Sequence, residues 1–157
     1  MSHKAFVVVA SNRAAAGVYE DETGPLIVDS LQGLGFSVAS IVVPDGKPVR
    51  DAMLRALSRG ARLIVTTGGT GLTPTDHTPE VTRKLLDREV PGIAEAIRNR
   101  GVANGVPTAA LSRGLAGVTG NCLIVNLPGS KGGVKDGLSV LEGLVVHSVE
   151  QITGSDH

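Results

Sequence analysis

Residues 63 to 80 have the sequence Leu-Ile-Val-Thr-Thr-Gly-Gly-Thr-Gly-Leu-Thr-Pro-Thr-Asp-His-Thr-Pro-Glu, which predicts a buried strand, a glycine-rich loop and the start of a helix. Gly68, Gly69 and Gly71 let the backbone approach a ligand closely, because glycine has no Cβ. Exposed amide groups in such a loop can form an anion-binding nest. Asp76, at the far end of the loop, adds a carboxylate suited to holding a metal ion. Phosphate chemistry uses both features, so the segment predicts a phosphate-binding loop at the end of a strand.

This loop differs from two widespread phosphate-binding motifs. It lacks the Gly-Lys-Ser/Thr ending of the P-loop. Residues 68 to 71 also lack the glycine spacing of a dinucleotide-binding motif and its acidic residue at the expected offset. The sequence therefore indicates a different class of phosphate-binding protein.

The composition indicates one domain with an aliphatic core. The chain has 157 residues, and we expect a single domain over residues 1–157 with its core at about 4–152. Aromatic residues make up only 2% and Trp is absent, so the core must consist of Val, Ile, Leu and Ala. The net charge is zero and no run of Lys and Arg alternates with aromatic residues, which argues against nucleic-acid binding.

The sequence predicts a protein of a reducing compartment, the cytoplasm, without membrane association. The single cysteine, Cys122, has no partner for an internal disulfide and lies in an apolar segment, so we interpret it as a buried structural thiol. The apolar run at residues 5–10 is too short for a signal peptide, and no apolar stretch is long enough to span a bilayer.

Strands and helices alternate along the chain. The apolar pattern predicts strands at residues 6–10, 38–43, 62–66, 116–119 and 122–127, and helices at 24–34, from Pro48 to before Gly60, from Pro79 with Thr78 as N-cap, and at 91–100, 107–113 and 134–152. This alternation predicts an α/β fold with three layers, α/β/α, and a mostly parallel sheet. Gly120-Asn121, between the last two strands, predicts one antiparallel hairpin.

Four loops follow the carboxyl ends of predicted strands, where open α/β sheets bind their ligands. They begin near Ser11, Asp45, Gly68 and Gly129, and we expect them to converge on one rim. Asp45 alone is typical of a turn. Together with Asp76 it forms a candidate Mg²⁺ site, because Mg²⁺ binds through a few carboxylates, waters and substrate phosphates.

Other polar residues leave two interpretations open. Residues 128–130 precede a long helix whose N-terminus favours phosphate, or they form a plain strand-to-helix turn. Ser112 and Arg113 can contact a polar ring and a phosphate, or can lie exposed on a short helix. We interpret His77 as solvated or structural instead of catalytic, and Glu80 as an acidic residue favourable near a helix N-terminus.

These residues resemble the signatures of a known family. The segment Thr67-Gly68-Gly69-Thr70-Gly71, followed by Asp76, Thr78, Pro79 and Glu80, resembles the first signature of the molybdenum-cofactor biosynthesis proteins of MogA/MoaB type, which also occurs in the G domain of gephyrin. Leu127-Pro128-Gly129-Ser130 resembles the second signature. Residues 43–45 and 107–113 match as well, and the resemblance covers nearly the whole chain.

The resemblance implies a molybdopterin-binding fold, commonly a homotrimer, and a molybdopterin adenylyltransferase. Such an enzyme uses Mg²⁺ to convert molybdopterin and ATP to adenylyl-molybdopterin and pyrophosphate. Asp45 and Asp76 match the catalytic, metal-linked aspartates. The residues that match nucleotide- and phosphate-binding loops are Thr67, Gly68, Gly69, Thr70, Gly71, Pro128, Gly129 and Ser130. Ser112 matches a residue on the pterin side, and we place the neighbouring Arg113 there too.

Two departures and two alternatives accompany this resemblance. Asn12 stands where many members have Asp, and Lys131 where many have Pro. One alternative is a protein that carries molybdopterin without turnover, and a weaker one is a scaffolding domain. Without a fused second domain, the chain resembles the stand-alone adenylylating type. A downstream molybdate-insertion protein is then an expected partner.

Overall fold

The computed structural model describes residues 2 to 154, so residues 1 and 155–157 of the expected domain lie outside it. The strands are β1 (Lys4–Ala10), β2 (Ser37–Val43), β3 (Leu63–Thr67), β4 (Arg88–Glu89), β5 (Ala116–Thr119) and β6 (Cys122–Leu127). The helices are α1 (Asn12–Ala15), α2 (Thr23–Gly33), α3 (Lys47–Ser58), α4 (Thr78–Arg83), α5 (Pro91–Ala103), α6 (Lys131–Leu141) and α7 (Val145–Ile152), with a 3₁₀ helix at Pro107–Leu111.

The described strands form one six-stranded sheet in the order β2-β1-β3-β6-β5-β4. The first four strands in this order are mutually parallel, whereas β5 is antiparallel to both β6 and β4. The register pairs Ala10 with Val43, and Thr67 with both Val9 and Leu127. The predicted mostly parallel sheet with one hairpin is therefore confirmed, and four carboxyl ends meet at one edge.

Helices cover both faces of the sheet, which confirms the three-layer α/β/α prediction. Successive residues of a strand point to opposite faces. Val7 and Val9 accordingly pack with α2, α5, α6 and α7, whereas Val8 and Ala10 pack with α3. The core is aliphatic as predicted, with Phe36 as its one buried aromatic residue among those described.

Two buried hydroxyl groups and an amide fix α4 against the sheet. Asn126 of β6 donates from Nδ2 to Thr66 Oγ1 of β3 at 2.9 Å and to Thr82 Oγ1 of α4 at 3.1 Å. Its Oδ1 accepts from the Leu115 amide at 3.0 Å. Buried polar groups need such partners, so this cluster ties α4 to strands β3 and β6.

The prediction of a single helix over 134–152 is wrong. Residues 142–144, which include Gly143, separate α6 from α7. Glycine is a poor helix former, and the break leaves Leu141 and Val145 both fully buried. The helix also begins earlier, at Lys131, because Ser130 Oγ caps it by accepting from the Gly133 amide at 3.0 Å.

Smaller differences concern short elements. Residues 12–15 form α1 where a loop was expected, because Ser11 Oγ accepts from the Ala14 amide and caps a helical turn. The two-residue strand β4 is exposed and carries no apolar pattern. The helix predicted at 91–100 extends to Ala103, and the one predicted at 107–113 is a 3₁₀ helix that ends at Leu111.

The interpretation of Cys122 as a buried structural thiol agrees with the structure. Its side chain is 1% exposed, and burial raises the pKa of the thiol to about 12. A neutral thiol at this depth is a poor nucleophile. Within residues 2–154, no helix is both long and apolar enough to cross a bilayer.

Candidate active site

The four predicted loops do converge on one edge of the sheet. Ser11, Asp45, Gly68 and Gly129 all line or border one cleft there, together with Asp76 from the loop before α4. The cause is the parallel register, which brings the carboxyl ends of β2, β1, β3 and β6 side by side. The structure thereby joins residues that are far apart in the chain.

Two cavities adjoin at this edge. The Asp45 cleft, of about 440 Å³, has walls that mix polar and apolar groups and is lined by residues 9–14, 19–23, Asp45, Thr67–Gly69, Asp76, Gly129 and Lys131. The Ser112 cavity, of about 410 Å³, is lined by residues 69–71, Asp76, Ile97, Arg98, Gly101, Val106, Thr108, Ala109, Leu111, Ser112, 128–130, Gly132, Gly133 and Asp136. Gly69, Asp76 and Gly129 line both, so the two cavities share a common edge.

Glycine is required at two positions of the first loop. Gly68 has φ +89° and Gly69 φ +67°, in the left-handed region that L side chains rarely adopt. A Cβ on Gly68 would overlap the carbonyl of Ala10, and one on Gly69 would overlap Asp45 Oδ1 and Thr78 Oγ1. The backbone is therefore packed directly against the groups that surround the cleft.

The anion-binding part of the loop is shorter than expected. The Gly68 amide donates to the Leu127 carbonyl at 3.2 Å, so it is not free for a ligand. Within residues 2–154, no protein acceptor takes the amides of Gly69, Thr70 or Gly71. These three amides are the donors that the loop can offer to a phosphate.

The backbone of Asp45 is held by the loop that begins near Ser11, and one oxygen of its side chain has no hydrogen-bond partner among the described residues. Its amide donates to Asn12 Oδ1 at 2.9 Å, so the Asn at this position still positions the carboxylate. Asp45 Oδ1 is buried and has no hydrogen-bond partner among the described residues. Burial, and then the nearby charge of Asp76, raise the pKa of Asp45, whereas His77 acts in the opposite direction.

Asp76 uses one oxygen to shape its loop. Its Oδ2 accepts from the Thr73 amide at 3.0 Å and from Thr73 Oγ1 at 2.8 Å. Oδ1 takes no hydrogen bond from the described residues, and the residue lines both cavities. One carboxylate oxygen of Asp76 is therefore available to a ligand at the shared edge.

The prediction of Thr78 as the N-cap of α4 is wrong. The helix begins at Thr78, and His77 occupies the cap position without a side-chain cap. The Thr78 amide donates to the Gly69 carbonyl at 3.0 Å, which draws the residue towards the glycine loop. Its Oγ1 is buried and, like Asp45 Oδ1, has no partner among the described residues.

This donor set fits Mg²⁺. The two carboxylates and the Thr78 hydroxyl supply hard oxygen atoms, and Asp45 Oδ1 is a buried acceptor without a donor. No group of three or more His, Cys, Asp or Glu suited to a metal occurs among residues 2–154. A pair of carboxylates is the smaller set that Mg²⁺ uses when substrate phosphates and waters complete its coordination.

The second glycine loop packs against the first. A Cβ on Gly129 would lie 3.1 Å from Gly68 Cα. Thr67 Oγ1 donates to the Pro128 carbonyl at 2.7 Å, so this side chain joins the two loops instead of facing a ligand. Beyond Ser130, the first residues of the 11-residue helix α6 line the two cavities, and the N-terminus of a helix favours an anion.

Arg113, which the sequence analysis places on the pterin side, has its guanidinium bound by neighbouring protein groups. Arg113 lines neither cavity, because its guanidinium is bound to protein acceptors. Nε donates to the Gly71 carbonyl at 2.8 Å, Nη2 to the Asp76 carbonyl at 2.9 Å, and Nη1 to Glu80 Oε2 at 2.6 Å. The hydrogen bond from Arg113 lowers the pKa of Glu80, whose second oxygen accepts from Nη2.

Ser112 does line its cavity, and two charged residues that the sequence analysis missed line it too. Arg98 donates from Nη1 to the carbonyls of Ser112 and Gly114, at 3.2 and 3.0 Å. Asp136 lies on the second turn of α6. Arg98 and Asp136 stand at positions where the helical pattern of the sequence predicts surface residues. No sequence signal therefore distinguishes them from exposed side chains.

The geometry first defines a class: an α/β protein with a candidate phosphate-binding site at the carboxyl ends of its parallel strands. Residues 6–146 match the family described as "Probable molybdopterin binding domain", and the chain belongs to that family. The resemblance drawn from the two glycine-loop signatures is thereby confirmed.

Three similar proteins extend this result. The Mog protein of molybdopterin biosynthesis from Mycobacterium ulcerans is 53% identical, with a TM-score of 0.92 over 96% of this chain and 99% of that one. A molybdopterin adenylyltransferase of Pyrococcus furiosus is 36% identical over 90% of this chain and 86% of its own length. A bifunctional molybdenum cofactor biosynthesis protein of Synechococcus elongatus is 39% identical over 98% of this chain, which spans 48% of that protein's length.

Proposed function

We propose that this chain is a molybdopterin adenylyltransferase of molybdenum cofactor biosynthesis. It would transfer the adenylyl group of ATP to the terminal phosphate of molybdopterin and release pyrophosphate. One observation carries the proposal: the two cavities share Gly69, Asp76 and Gly129. Two substrates that occupy neighbouring cavities meet at such an edge. The naming of the P. furiosus relative agrees with the activity predicted from the sequence.

The lining of the cavities suggests which substrate each one takes. The Ser112 cavity combines apolar walls at Ile97, Val106 and Leu111 with a few polar groups, as a site for a flat heterocycle does. The Asp45 cleft contains the candidate metal-binding carboxylates and Lys131, which suit the triphosphate of ATP. Both phosphate ends would then lie at the shared edge.

The reaction is a displacement at phosphorus. An oxygen of the molybdopterin phosphate attacks the α-phosphorus of ATP and forms the new P–O bond. The bond from the α-phosphorus to the oxygen that bridges to the β-phosphorus breaks, and its electron pair leaves with pyrophosphate. A phosphate nucleophile is already ionised near neutral pH, so no strong general base is required, which is consistent with the exposed position of His77.

Positioning and charge neutralisation are therefore the protein's main contributions. The amides of Gly69, Thr70 and Gly71 can donate to the phosphates from one side. The amides of Lys131 and Gly132 at the start of α6 can donate from the other side, since Ser130 already accepts from the Gly133 amide. Asp45 and Asp76 would hold Mg²⁺, which neutralises charge on the phosphates of ATP.

The assembly and location follow from the family resemblance. We propose a homotrimer in the cytoplasm, in which residues 4–152 form one catalytic domain. Its product would pass to a protein that inserts molybdate. We also propose that each chain of the trimer carries its own site, built mostly from its own residues.

The decisive experiment incubates the purified protein with molybdopterin, ATP and Mg²⁺. We expect adenylyl-molybdopterin and pyrophosphate in equal amounts, and neither product when EDTA is added. A protein that only carries molybdopterin would retain the pterin through gel filtration but release no pyrophosphate. Pyrophosphate without the adenylylated pterin would indicate ATP hydrolysis and would contradict the proposal.

A further inference from the structure

The Ser112 cavity contains an acidic residue that the proposed transfer reaction does not use. Asp136 lines the cavity, and its Oδ1 accepts from Asn104 Nδ2 at 2.7 Å. Oδ2 takes no hydrogen bond from residues 2–154 and lies 3.9 Å from where a Cβ on Gly101 would stand. One carboxylate oxygen is therefore oriented by a neighbour, and the other is left for a ligand.

Asp136 lies further along α6 than Ser130, which lines the same cavity at the start of the helix. Ser130 caps α6 at the shared edge, and Asp136 follows six residues later, about 9 Å along the helix axis. A ligand whose phosphate lies at that edge would bring its opposite end to Asp136. In molybdopterin that opposite end is the pyrimidine ring of the pterin.

The chemistry of this ring matches the carboxylate. The N3–H and the 2-amino group of a pterin are adjacent donors that point in the same direction. A carboxylate accepts two parallel hydrogen bonds from such a pair, as it does from a guanidinium. Arg98, whose Nη1 is fixed by two backbone carbonyls, is a donor of opposite charge in the same cavity and suits the C4 carbonyl of the ring.

We infer that Asp136, oriented by Asn104, recognises the 2-amino-4-oxo edge of the pterin and sets the specificity of the Ser112 cavity. This inference rests on the proposed function, which places molybdopterin there. The competing explanation is structural: the hydrogen bond from Asn104 to Asp136 would only join the end of α5 to α6.

A pair of ring analogues separates the two explanations. We would titrate the full chain with 6-carboxypterin and with 6-carboxylumazine, which carries a carbonyl in place of the 2-amino group, and follow probe fluorescence. The proteins are wild type, Asp136→Asn, and the control Asp29→Asn, which replaces an exposed carboxylate on α2 outside both cavities. Thermal unfolding of each variant reports on the structural role.

Wild type and Asp29→Asn should bind the pterin more tightly than the lumazine. Asp136→Asn should weaken pterin binding by about tenfold, as expected when a hydrogen bond to a charged group is lost. It should also reverse the preference, because an Asn side chain can donate to the C2 carbonyl of the lumazine. A second variant, Asn104→Ala, should weaken pterin binding less and keep the preference.

Three results would overturn the inference. Unchanged pterin binding by Asp136→Asn would show that the carboxylate does not contact the ring. Equal loss of both probes together with a lower melting temperature would support the structural explanation. If wild type binds neither probe at millimolar concentration, the cavity is not a pterin site, and the placement of molybdopterin in the proposed function fails with it.

Discussion

Arg113 Nη1 lies 2.6 Å from Glu80 Oε2, and the same guanidinium binds the carbonyls of Gly71 and Asp76. These two carbonyls bracket the loop that carries the Asp76 carboxylate. Four of the five N–H groups of Arg113 are thereby used. The side chain holds the glycine loop and α4 in one arrangement, so it is a positioning residue for the candidate site.

Replacing Arg113 by Lys should lower kcat of the adenylyl transfer by about 100-fold, the scale on which small misplacements of reacting groups act. Lys keeps the charge but cannot bind three acceptors in a plane. Glu80→Gln keeps both carbonyl contacts and should lose less. Because the ion pair is half exposed, the melting temperature should change little. Equal losses in the two variants would contradict this role.

Replacing Asp76 by Ala should lower turnover by ~100-fold or more, because an electrostatic element at the shared edge is removed. Molybdopterin binding should decrease much less, since the Ser112 cavity keeps its other walls. Steady-state kinetics and equilibrium pterin binding measure the two effects. Asp29→Ala, an exposed change on α2, serves as the control. Turnover near that of wild type would end the assignment of Asp76.

A Val at Gly69 should abolish nucleotide binding while the fold persists. The added side chain would overlap Asp45 and Thr78, and φ +67° is unfavourable for a β-branched residue. Gly92→Val is the matched control, because a Cβ there has nothing within 4 Å. Circular dichroism and ATP titration test both variants. Normal ATP binding by Gly69→Val would mean that this loop does not hold the phosphates.

Replacing Asp45 by Asn should stabilise the metal-free protein at neutral pH. Burial, and then the charge of Asp76, raise the pKa of Asp45 above its usual 3.8. The folded protein thus binds this proton more readily than the unfolded chain does, and ionised Asp45 reduces stability above the raised pKa. The gain in melting temperature from Asp45→Asn should shrink as the pH falls towards 4. Melting curves in EDTA measure it, and a pH-independent difference would contradict the electrostatic cause.

The proposed trimer is tested by native mass spectrometry at micromolar concentration. Cyclic closure of three chains requires two different surface patches that meet at each interface. Because we propose sites built mostly within each chain, variants that dissociate the trimer should lose stability before they lose ligand contacts. A stable monomer would remove the assembly proposal and leave the assignment of the site unchanged.

The sequence by itself determined the order and kind of most elements. The strands β5 and β6 begin and end at the predicted residues, and Gly35 closes the first long helix with φ +98°. These features depend on local properties, namely side-chain alternation and the backbone freedom of glycine. The α/β class follows from the same local pattern, because strands that alternate with helices pack as a parallel sheet.

Only the tertiary structure decided which side chains meet. Arg113 and Glu80 are 33 residues apart, and Asn104 and Asp136 are 32 apart, so no local pattern links them. The hydrogen bonds from Arg113 to the glycine loop depend on the position of α4. The hydrogen bond from Asn126 to Thr82 ties that helix to the sheet. The roles of Arg98 and Asp136 depend on a cavity between packed elements. Periodicity specifies which face of an element is buried, but not which residues of other elements lie against it.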